Sequence, residues 1–361
     1  MTRSGFFNRP LAAGLLVALT LLISTGPALA GWQLVWNDEF NGTNLDSTKW
    51  TNDIGNGFYI GTNYISGWGN NELEYYTARP ENLTVSNGML HLFARQESYA
   101  GYNYTSARIN TAGRFTTTYG RIEFRARFPQ GGGYWPALWL MPENSTYGTW
   151  PASGEIDVTE NKGSIGSTIY GTLHYGSVGN DVYNAQSYVL PNSGSVTNFH
   201  IYRIDWSTNT ITWFVDGIPY QTLTNWFTSG GAYPAPFSQP FHLIINLSVG
   251  GNYLGNPGTN SININTPFPG EEQVDYVRVY QATPGSDQLP VLNIGVQAGQ
   301  AFLGGSNGFP NAAYNLLATT NLVQPPGNWP VLTSKTFDPH GNCLLTNSIG
   351  NSTMYYRLAV P

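Results

Sequence analysis

The chain has 361 residues, of which 10% are charged and 14% are aromatic, and its formal net charge is −6. With 42 glycines and 23 prolines, this composition excludes coiled coils, long solvated helices and charge-driven disorder, and it favours a turn-rich β protein. Nucleic acid is not expected as a partner, because a phosphate-binding surface needs clustered lysine and arginine and the chain has only 15 of these residues.

Residues 1–30 have the pattern of a cleaved secretory signal. Arg3 and Arg9 precede an apolar run at residues 11–23, and the segment ends in Ala28-Leu29-Ala30, which is typical of a cleavage site. The apolar run is shorter than the roughly 20 residues that a membrane-spanning helix needs. We therefore expect a secreted protein, extracellular or periplasmic, with no membrane attachment after cleavage near residue 31.

Strand signals alternate with turn signals through most of the remaining chain, at intervals of about 8 to 12 residues that are typical of a β-sandwich. Asn87-Gly88 and Asp216-Gly217 are strong hairpin signals because these residues tolerate the positive φ of a type I′ turn. Predicted strands include residues 83–85, 89–94, 120–128, 201–206, 211–215 and 274–280. The amino-acid composition changes at residues 283–288, where we predict a linker. A second, small β domain is predicted to follow at residues 289–361.

The most informative segment contains Glu155, Asp157 and Glu160 within six residues and has no basic residue. On a β-strand Glu155 and Asp157 share a face, whereas Glu160 is out of phase by one position. A β-bulge between Val158 and Glu160 would add one residue and return Glu160 to that face. The two glutamate backbones would then lie about 13 Å apart, and their carboxyl groups can approach the roughly 5 to 5.5 Å of a double-displacement glycosidase. The alternative interpretation is three acids on an exposed strand.

Asp157 lies between the two glutamates in this arrangement. Its charge and hydrogen bonds can keep one glutamate ionised and raise the pKa of the other, which gives two identical side chains opposite roles at one pH. The residue pattern by itself leaves open which glutamate attacks.

At these residues the chain resembles glycoside hydrolase family 16, and the bulged form ExDxxE is similar to the laminarinase (endo-1,3-β-glucanase) type rather than to the unbulged ExDxE of lichenases. Further segments resemble the family in order: 34–40 (LVWNDEF), 67–73 (GWGNNEL), 104–109 (YTSARI), 135–140 (WPALWL), 171–175 (GTLHY), 246–251 (NLSVGG) and 274–280 (VDYVRVY). The resemblance covers residues 31–282 and not the tail. It implies an all-β catalytic domain, a β-jelly-roll sandwich whose concave face forms an open substrate cleft.

The resemblance also implies a role for each acid. Glu155 is the nucleophile, Glu160 is the general acid/base and Asp157 assists them, with retention at the anomeric carbon. It implies five substrate-binding residues: Asn71, Arg108, Trp135, Trp139 and His174. For the two tryptophans the alternative is ordinary, because tryptophan on a strand usually belongs to the core.

The expected function is that of a retaining endo-β-glucanase that hydrolyses β-1,3-glucan of the laminarin type, as a monomer. The alternatives are a β-1,3-1,4-glucanase, another family 16 polysaccharide hydrolase or transglycosylase, and a non-catalytic β-glucan-binding protein on the same fold. All three acids are present, which favours catalysis. The sequence has no basic cluster for sulfate, which argues against sulfated galactans as substrates.

No cofactor is expected for the chemistry, and the five histidines lack the spacing of a zinc site. By resemblance, Glu39 and Asp275 match positions around a structural Ca²⁺ to which Gly88 offers a carbonyl oxygen. Two surface acids are an equally good interpretation. For the tail, a structural or surface-association module is favoured over a glucan-binding module around Trp329.

Overall fold

The computed structural model describes residues 32–255, 261–263, 265–282, 291–297, 300–306, 313–320, 329–338, 342–348 and 355–359. The signal peptide predicted at residues 1–30 and the linker predicted at residues 283–288 lie outside the described residues, so both stay predictions. Within the described part of the chain, no helix is both long enough and apolar enough to cross a membrane.

Nearly all regular structure in the described residues is β-strand, because the chain alternates β-branched and aromatic residues with turn formers. Up to residue 142 the strands are β1 (Trp32–Asp38), β2 (Thr51–Asn52), β3 (Gly57–Ile60), β4 (Asn63–Ser66), β5 (Glu74–Tyr76), β6 (Leu83–Ser86), β7 (Met89–Tyr99), β8 (Tyr102–Ser106), β9 (Arg108–Asn110), β10 (Gly120–Arg127) and β11 (Tyr134–Pro142). They are followed by β12 (Glu155–Glu160), β13 (Thr168–Ser177), β14 (Asn180–Val189), β15 (His200–Ser207), β16 (Thr210–Val215), β17 (Ile218–Leu223), β18 (Phe241–Val249) and β19 (Gly270–Ala282). Two short 3₁₀ turns lie at Gly67–Gly69 and Asn252–Leu254.

Two large sheets are formed by strands between residues 32 and 282. The ten-stranded sheet has the order β17-β16-β15-β10-β19-β7-β8-β5, with β1 paired to β19 and β6 paired to β7. The seven-stranded sheet has the order β14-β13-β12-β11-β18-β9-β2. The pairs within both sheets are antiparallel except for β5 with β8. The predicted all-β jelly-roll sandwich is confirmed, with partners that are distant in sequence lying side by side.

Both predicted hairpin turns are present. Asn87 and Gly88 join β6 to β7 with φ of 53° and 72°, and Asp216 and Gly217 join β16 to β17 with φ of 49° and 82°. These positive φ values are those of a type I′ turn, whose twist matches the twist of the flanking strands.

The core lies between the two sheets, and the alternation of side chains along each strand assigns one face to it. On β11, Leu138 and Leu140 are fully buried in this core, and on β12 Ile156 and Val158 belong to it. Burying each such side chain stabilises the fold by about 1.5–3 kcal/mol. Because neighbouring residues point to opposite faces, the acids of β12 lie on the other face of the seven-stranded sheet. We call this second face the site face.

The tail also forms the β structure that the sequence predicts. Its strands are β20 (Val291–Gln297), β21 (Gln300–Ser306), β22 (Ala313–Thr319), β23 (Val331–Thr336), β24 (Cys343–Ser348) and β25 (Tyr355–Ala359), which form two three-stranded sheets ordered β20-β21-β24 and β23-β22-β25. A small cluster of buried residues includes Leu303, Tyr314 and Phe337, and the last two rings lie 4.6 Å apart. The role of the tail and its exact boundary stay predictions.

Candidate active site

The strand β12 lies between β11 and β13 and carries the three acids. Asp157 is opposite Thr172 of β13 and Glu160 is opposite Tyr170, so Val158 and Thr159 occupy a length for which β13 uses one residue. The register against β11 shifts at the same place. The predicted β-bulge is therefore confirmed, and it turns Glu160 back toward the site face.

Glu160 is buried on the site face and is held by two donors. The indole Nε1 of Trp135 donates to its Oε1 at 2.9 Å, and the hydroxyl of Thr172 lies 3.4 Å from its Oε2. Burial raises the pKa of Glu160 to about 7, an effect that these hydrogen bonds and His174 oppose and that the charge of Glu155 reinforces. A carboxyl group with this pKa can both donate and accept a proton near neutral pH.

Glu155 and Asp157 have different surroundings. The indole Nε1 of Trp150 donates to Oε2 of Glu155 at 2.7 Å. Burial raises the pKa of Glu155, whereas His174 and Trp150 act to lower it. Burial, and then the charges of Glu155 and Glu160, raise the pKa of Asp157 well above its usual range. Its burial and the two neighbouring glutamate charges thus favour the protonated form of Asp157.

His174 is opposite Glu155 in the register between β12 and β13. Its Nδ1 lies 2.9 Å from Oδ2 of Asp181, and its Nε2 lies 3.5 Å from Oδ2 of Asp157. Burial acts to lower its pKa, but the charges of Glu155 and Asp181 outweigh burial, so the net pKa is raised. A protonated His174 places a positive charge beside the acids.

The side chains of Glu155, Asp157 and His174 each offer one potential metal ligand, and these atoms lie within 4.8 Å of one another. A metal ligand must be deprotonated. Burial and neighbouring carboxylates raise the pKa of Asp157, and neighbouring carboxylates raise that of His174, so a metal ion would have to displace a proton from each side chain that carries one.

Two of the predicted substrate-binding residues, Arg108 and Trp139, form a rigid unit on the site face. The guanidinium carbon of Arg108 lies 4.9 Å from the ring centroid of Trp139 and 4.3 Å from that of Trp68. Nε of Arg108 donates to Oδ2 of Asp53 at 2.9 Å, and Nε1 of Trp139 donates to Asn246 at 2.6 Å. A cation between two indoles loses little rotamer freedom when it binds a ligand, because its position is already fixed.

Besides His174, which was described above, the predicted set contains Trp135 and Asn71, whose surroundings differ. Trp135 is only 9% exposed and its ring stacks on Tyr253 with centroids 4.9 Å apart, so it positions Glu160 rather than forming an open platform. Asn71 is exposed and its amide donates to Asn252 at 2.9 Å, in the turn that also holds Tyr253. Asn71 is therefore located at the rim of the site.

Several residues that contact the acids or their neighbours were not predicted from the sequence, and three of them come from outside β12 and the two strands that flank it. Trp150 contacts Glu155, Asp181 contacts His174, and Tyr253 covers Trp135. Tyr253 had a weak signal, because it follows the Gly250-Gly251 pair, and both glycines have positive φ. A Cβ at Gly251 would lie 3.0 Å from the Trp135 ring.

The residues of the predicted calcium site are paired with arginines. The Glu39 carboxylate receives two hydrogen bonds from Arg278 at 2.8 and 2.9 Å, and Arg125 pairs with Asp275. Arg278 thus engages both oxygens of Glu39, whereas Arg125 contacts one oxygen of Asp275. Calcium binding at Glu39, Asp275 and the Gly88 carbonyl stays a prediction, and thermal unfolding with and without added Ca²⁺ tests it.

Known proteins match the segment that contains this site. The family described as Glycosyl hydrolases family 16 matches residues 62–266. Glucan endo-1,3-beta-glucosidase A1 of Niallia circulans is 42% identical over 275 residues, which are 71% of this chain and 39% of that protein. The beta-glucanase of Rhodothermus marinus is 42% identical over 259 residues, which are 69% of this chain and 85% of that protein. The X-ray structure of the laminarinase from Rhodothermus marinus has a TM-score of 0.62 and 42% identity, over 71% of this chain and 99% of that one.

Proposed function

On the premise that the chain belongs to glycosyl hydrolase family 16 and is a glycoside hydrolase, we propose that it is a secreted, retaining endo-β-glucanase that cleaves β-1,3-glucan. The observation that carries this proposal is the pair Glu155 and Glu160 on one bulged strand, with a separate indole donor for each carboxyl group. Two relatives, a glucan endo-1,3-beta-glucosidase and a laminarinase, support the β-1,3 linkage.

The proposed mechanism is a double displacement. The ionised Glu155 attacks the anomeric carbon while the protonated Glu160 gives its proton to the glycosidic oxygen, so that the bond to the leaving sugar breaks as the bond to Glu155 forms. Glu160, now a carboxylate, then takes a proton from water, which attacks the same carbon and releases Glu155. Two inversions give net retention. A pKa of about 7 for Glu160 suits both of its steps.

Asp157 and His174 support the nucleophile in this mechanism. A protonated Asp157 donates a hydrogen bond to Glu155, which stabilises the carboxylate before attack and again when it departs from the glycosyl ester. The positive charge favoured on His174 lowers the pKa of Glu155 and so opposes the effect of burial. Asp181 in turn orients the His174 ring through Nδ1.

Substrate binding is assigned to the neutral and cationic part of the site face. Sugar rings present apolar C–H faces and a rim of hydroxyl groups, which suit an indole beside fixed hydrogen-bond donors. Trp139 supplies the indole, and Arg108 keeps guanidinium N–H groups beyond its bond to Asp53. A neutral glucan fits this arrangement.

The first experiment is a reducing-sugar assay of the full chain on laminarin, lichenan, agarose and carrageenan. We expect the highest rate on laminarin. Glu155→Gln and Glu160→Gln should each lower kcat by about 10²–10⁴-fold or more with the fold intact. Glu271→Gln is the matched control, because Glu271 pairs with His91 on another sheet and should leave kcat unchanged. Wild-type rates in either glutamine variant of the acid pair would contradict the proposal.

Azide distinguishes the two glutamates. In Glu160→Ala, azide should attack the glycosyl enzyme formed on Glu155 and give a glycosyl azide of retained configuration. In Glu155→Ala, azide should attack directly and give the inverted product. The reverse assignment of products would exchange the two roles. Secretion is tested separately by the N-terminal sequence of the exported protein, which should begin near residue 31.

A further inference from the structure

Three buried side chains with polar ends lie at alternate positions in and just before β5. Glu72, Glu74 and Tyr76 are two residues apart, so an extended chain directs all three to one face. Glu72 is 6% exposed, and the other two are fully buried. Among the ion pairs of the described residues, none involves either glutamate. Because a buried charge is costly, these carboxyl groups depend on hydrogen bonds for compensation.

The two carboxyl groups differ in their surroundings. Burial, and then the charge of Glu72, raise the pKa of Glu74 well above its ordinary value, which favours the neutral form of Glu74. Its Oε2 accepts a hydrogen bond from the backbone N–H of Val249 at 2.6 Å. Glu74 thus holds the backbone at the end of β18, and a neutral side chain is sufficient for this contact.

Glu72 is surrounded by donors. The Tyr76 hydroxyl donates to its Oε2 at 2.9 Å, and the Ser248 hydroxyl donates to the same oxygen at 3.0 Å. The amide of Asn70 donates to Oε1 at 3.4 Å. The two hydroxyl oxygens lie 2.8 Å apart, and either can donate to the other. In each arrangement at least one hydroxyl hydrogen points at Glu72.

The side chain of Asn246 joins these hydroxyls to the site face. Its Oδ1 accepts from Nε1 of Trp139 at 2.6 Å, and its Nδ2 lies 2.8 Å from the Ser248 hydroxyl and 3.2 Å from the Tyr76 hydroxyl. An indole N–H can only donate, so the amide oxygen has to face Trp139 and the amide N–H groups have to face the hydroxyls. The hydroxyls accept from Asn246, and their own hydrogens are then directed toward Glu72. The hydrogen bonds therefore have one direction, from Trp139 and Asn246 to Glu72.

The same group of residues also supports the second indole beside Arg108. The Tyr76 ring lies 5.6 Å from the Trp68 ring, and the Arg108 guanidinium lies between Trp68 and Trp139. One indole is thus held through its N–H by Asn246, and the other is held through its ring by Tyr76. Both contacts depend on the side chains that donate to Glu72.

We propose that Glu72 is a positioning residue, which fixes the amide orientation of Asn246 and thereby holds the Trp139 indole in place for the substrate. This inference rests on the proposed function, which assigns substrate binding to Trp139. Without the carboxylate, the hydroxyl hydrogens of Tyr76 and Ser248 would turn to the nearest remaining acceptor, Oδ1 of Asn246. They would then compete with the indole N–H for that oxygen.

The first test compares two neighbouring glutamates. Glu72→Met removes the acceptor and keeps the length of the side chain. We expect it to raise KM on laminarin by about fivefold, which corresponds to the roughly 1 kcal/mol net contribution of one hydrogen bond. Its kcat should stay within about twofold, because the indole contacts of Glu155 and Glu160 are separate from this chain of hydrogen bonds.

Glu74→Gln is the matched control for this substitution. Glutamine is neutral, as the favoured form of Glu74 is, and its carbonyl oxygen can accept the Val249 N–H, so KM and kcat should both stay within about twofold of the wild type. An unchanged KM in Glu72→Met, or a fall in its kcat as large as the rise in KM, would overturn the inference.

A double-mutant cycle tests whether Glu72 acts through Asn246. Asn246→Leu removes the acceptor of the Trp139 N–H directly and should raise KM by a similar factor. If the two residues act in sequence, Glu72→Met should add less than about twofold in the Asn246→Leu background. Effects that multiply in the double variant would mean that Glu72 influences binding by another route, which also overturns the inference.

The indole N–H signal of Trp139 provides a readout that does not depend on activity. In a proton–nitrogen correlation spectrum this signal is identified by its absence in Trp139→Phe. It should move in Glu72→Met and keep its position in Glu74→Gln, and an unmoved signal in Glu72→Met would contradict the positioning role. If the wild type cleaves no β-1,3-glucan, the proposed function fails, and this spectrum still decides whether Glu72 positions Trp139.

Thermal unfolding checks that Glu72→Met is folded. If it is not, the double variant Tyr76→Phe with Ser248→Ala takes its place, because it removes both hydroxyls between Asn246 and Glu72 and keeps the ring that contacts Trp68. The expected rise in KM and the expected movement of the Trp139 signal are the same. The absence of both changes would overturn the inference.

Discussion

Glu155 and Glu160 each accept a hydrogen bond from one indole N–H, which lowers the pKa of the carboxyl group that accepts it. In the proposed mechanism Glu160 must be protonated to begin catalysis, so kcat/KM should fall as the pH rises through its pKa of about 7. Glu155 must be ionised, so kcat/KM should also fall as the pH decreases through its pKa, which burial raises above the ordinary value. The expected profile is a bell whose alkaline limb lies near pH 7. A single limb would contradict the assignment of the two roles.

Removal of either indole N–H should shift one limb of the bell-shaped pH profile of kcat/KM. Trp135→Phe removes a hydrogen bond that lowers the pKa of Glu160, so the alkaline limb should shift to higher pH by about one unit, given the roughly 1.5–3 kcal/mol of a hydrogen bond to a charged group. Trp150→Phe should instead shift the acid limb upward, because Trp150 lowers the pKa of Glu155. Each variant is the control for the other. Because the two carboxyl groups interact, the apparent pKa values of the two limbs belong to the pair rather than to either residue alone.

Asp157 provides a third test at the residue scale. If it keeps its proton, asparagine reproduces a neutral hydrogen-bond donor of the same size, whereas alanine removes the donor. We expect Asp157→Asn to retain at least tenfold more kcat than Asp157→Ala, with a bell of similar shape. Equal losses in both variants, or a bell that flattens in Asp157→Asn, would show that Asp157 acts through its charge. Measurement of kcat from pH 5 to 9 decides between these outcomes.

The bulge in β12 explains how one strand serves both the core and the site. Ile156 and Val158 point into the sandwich, which leaves Asp157 and Glu155 on the site face. Without the additional residue, Glu160 would share the face of the core residues. The bulge therefore lets a six-residue strand contribute two apolar side chains to the core and three acids to the site.

The strand β19 carries a buried carboxyl group that contributes nothing to the site. Glu272 is fully buried, both of its oxygens lack a hydrogen-bond partner, and burial raises its pKa well above 4.5. A carboxyl group whose pKa is higher in the folded state destabilises the fold increasingly as the pH rises above the unfolded value. Glu272→Leu should therefore stabilise the protein by about 1–3 kcal/mol at neutral pH, and by less at pH 4.

Urea unfolding at pH 4, 6 and 8 measures this effect. The adjacent substitution Glu271→Gln is the control, since Glu271 is half-buried and paired with His91, and it should change the free energy of unfolding by less than about 1 kcal/mol. A stabilisation by Glu272→Leu that does not grow with pH would mean that Glu272 is not held neutral in the folded protein.

At the scale of the whole molecule, the candidate active site and the larger of the two described cores both come from residues 32–282. The buried cluster between the two large sheets contains no residue of the tail, and the described tail has a buried cluster of its own. We therefore expect a chain of residues 31–282 to unfold cooperatively and to cleave soluble laminarin at close to the full-length rate.

The tail can then affect activity by attachment to insoluble glucan, which raises the local enzyme concentration without changing kcat. Rates of both chains on soluble laminarin and on curdlan-like particles measure this. A shortened chain that is folded and monomeric but inactive on soluble laminarin would show that the tail completes the cleft.

The sequence alone predicted the features that depend on a few neighbouring residues. Alternation along strands and the Asn87-Gly88 and Asp216-Gly217 turns predicted the β-sandwich, because period-2 burial and positive φ depend on a few neighbouring residues. The spacing of Glu155, Asp157 and Glu160 predicted the bulge for the same reason. The resemblance of seven ordered segments then indicated the family that the comparisons show.

The tertiary structure alone decided which partners surround the acids. Trp150 reaches Glu155 from a loop, Asp181 reaches His174 from β14, and Tyr253 covers Trp135 from the turn after β18. The raised pKa of Asp157 likewise follows from its burial beside two glutamates, which no spacing rule encodes. Contacts between residues distant in sequence, and the desolvation that they cause, exist only once the sheets have packed. These contacts determine in which direction the pKa of each acid shifts.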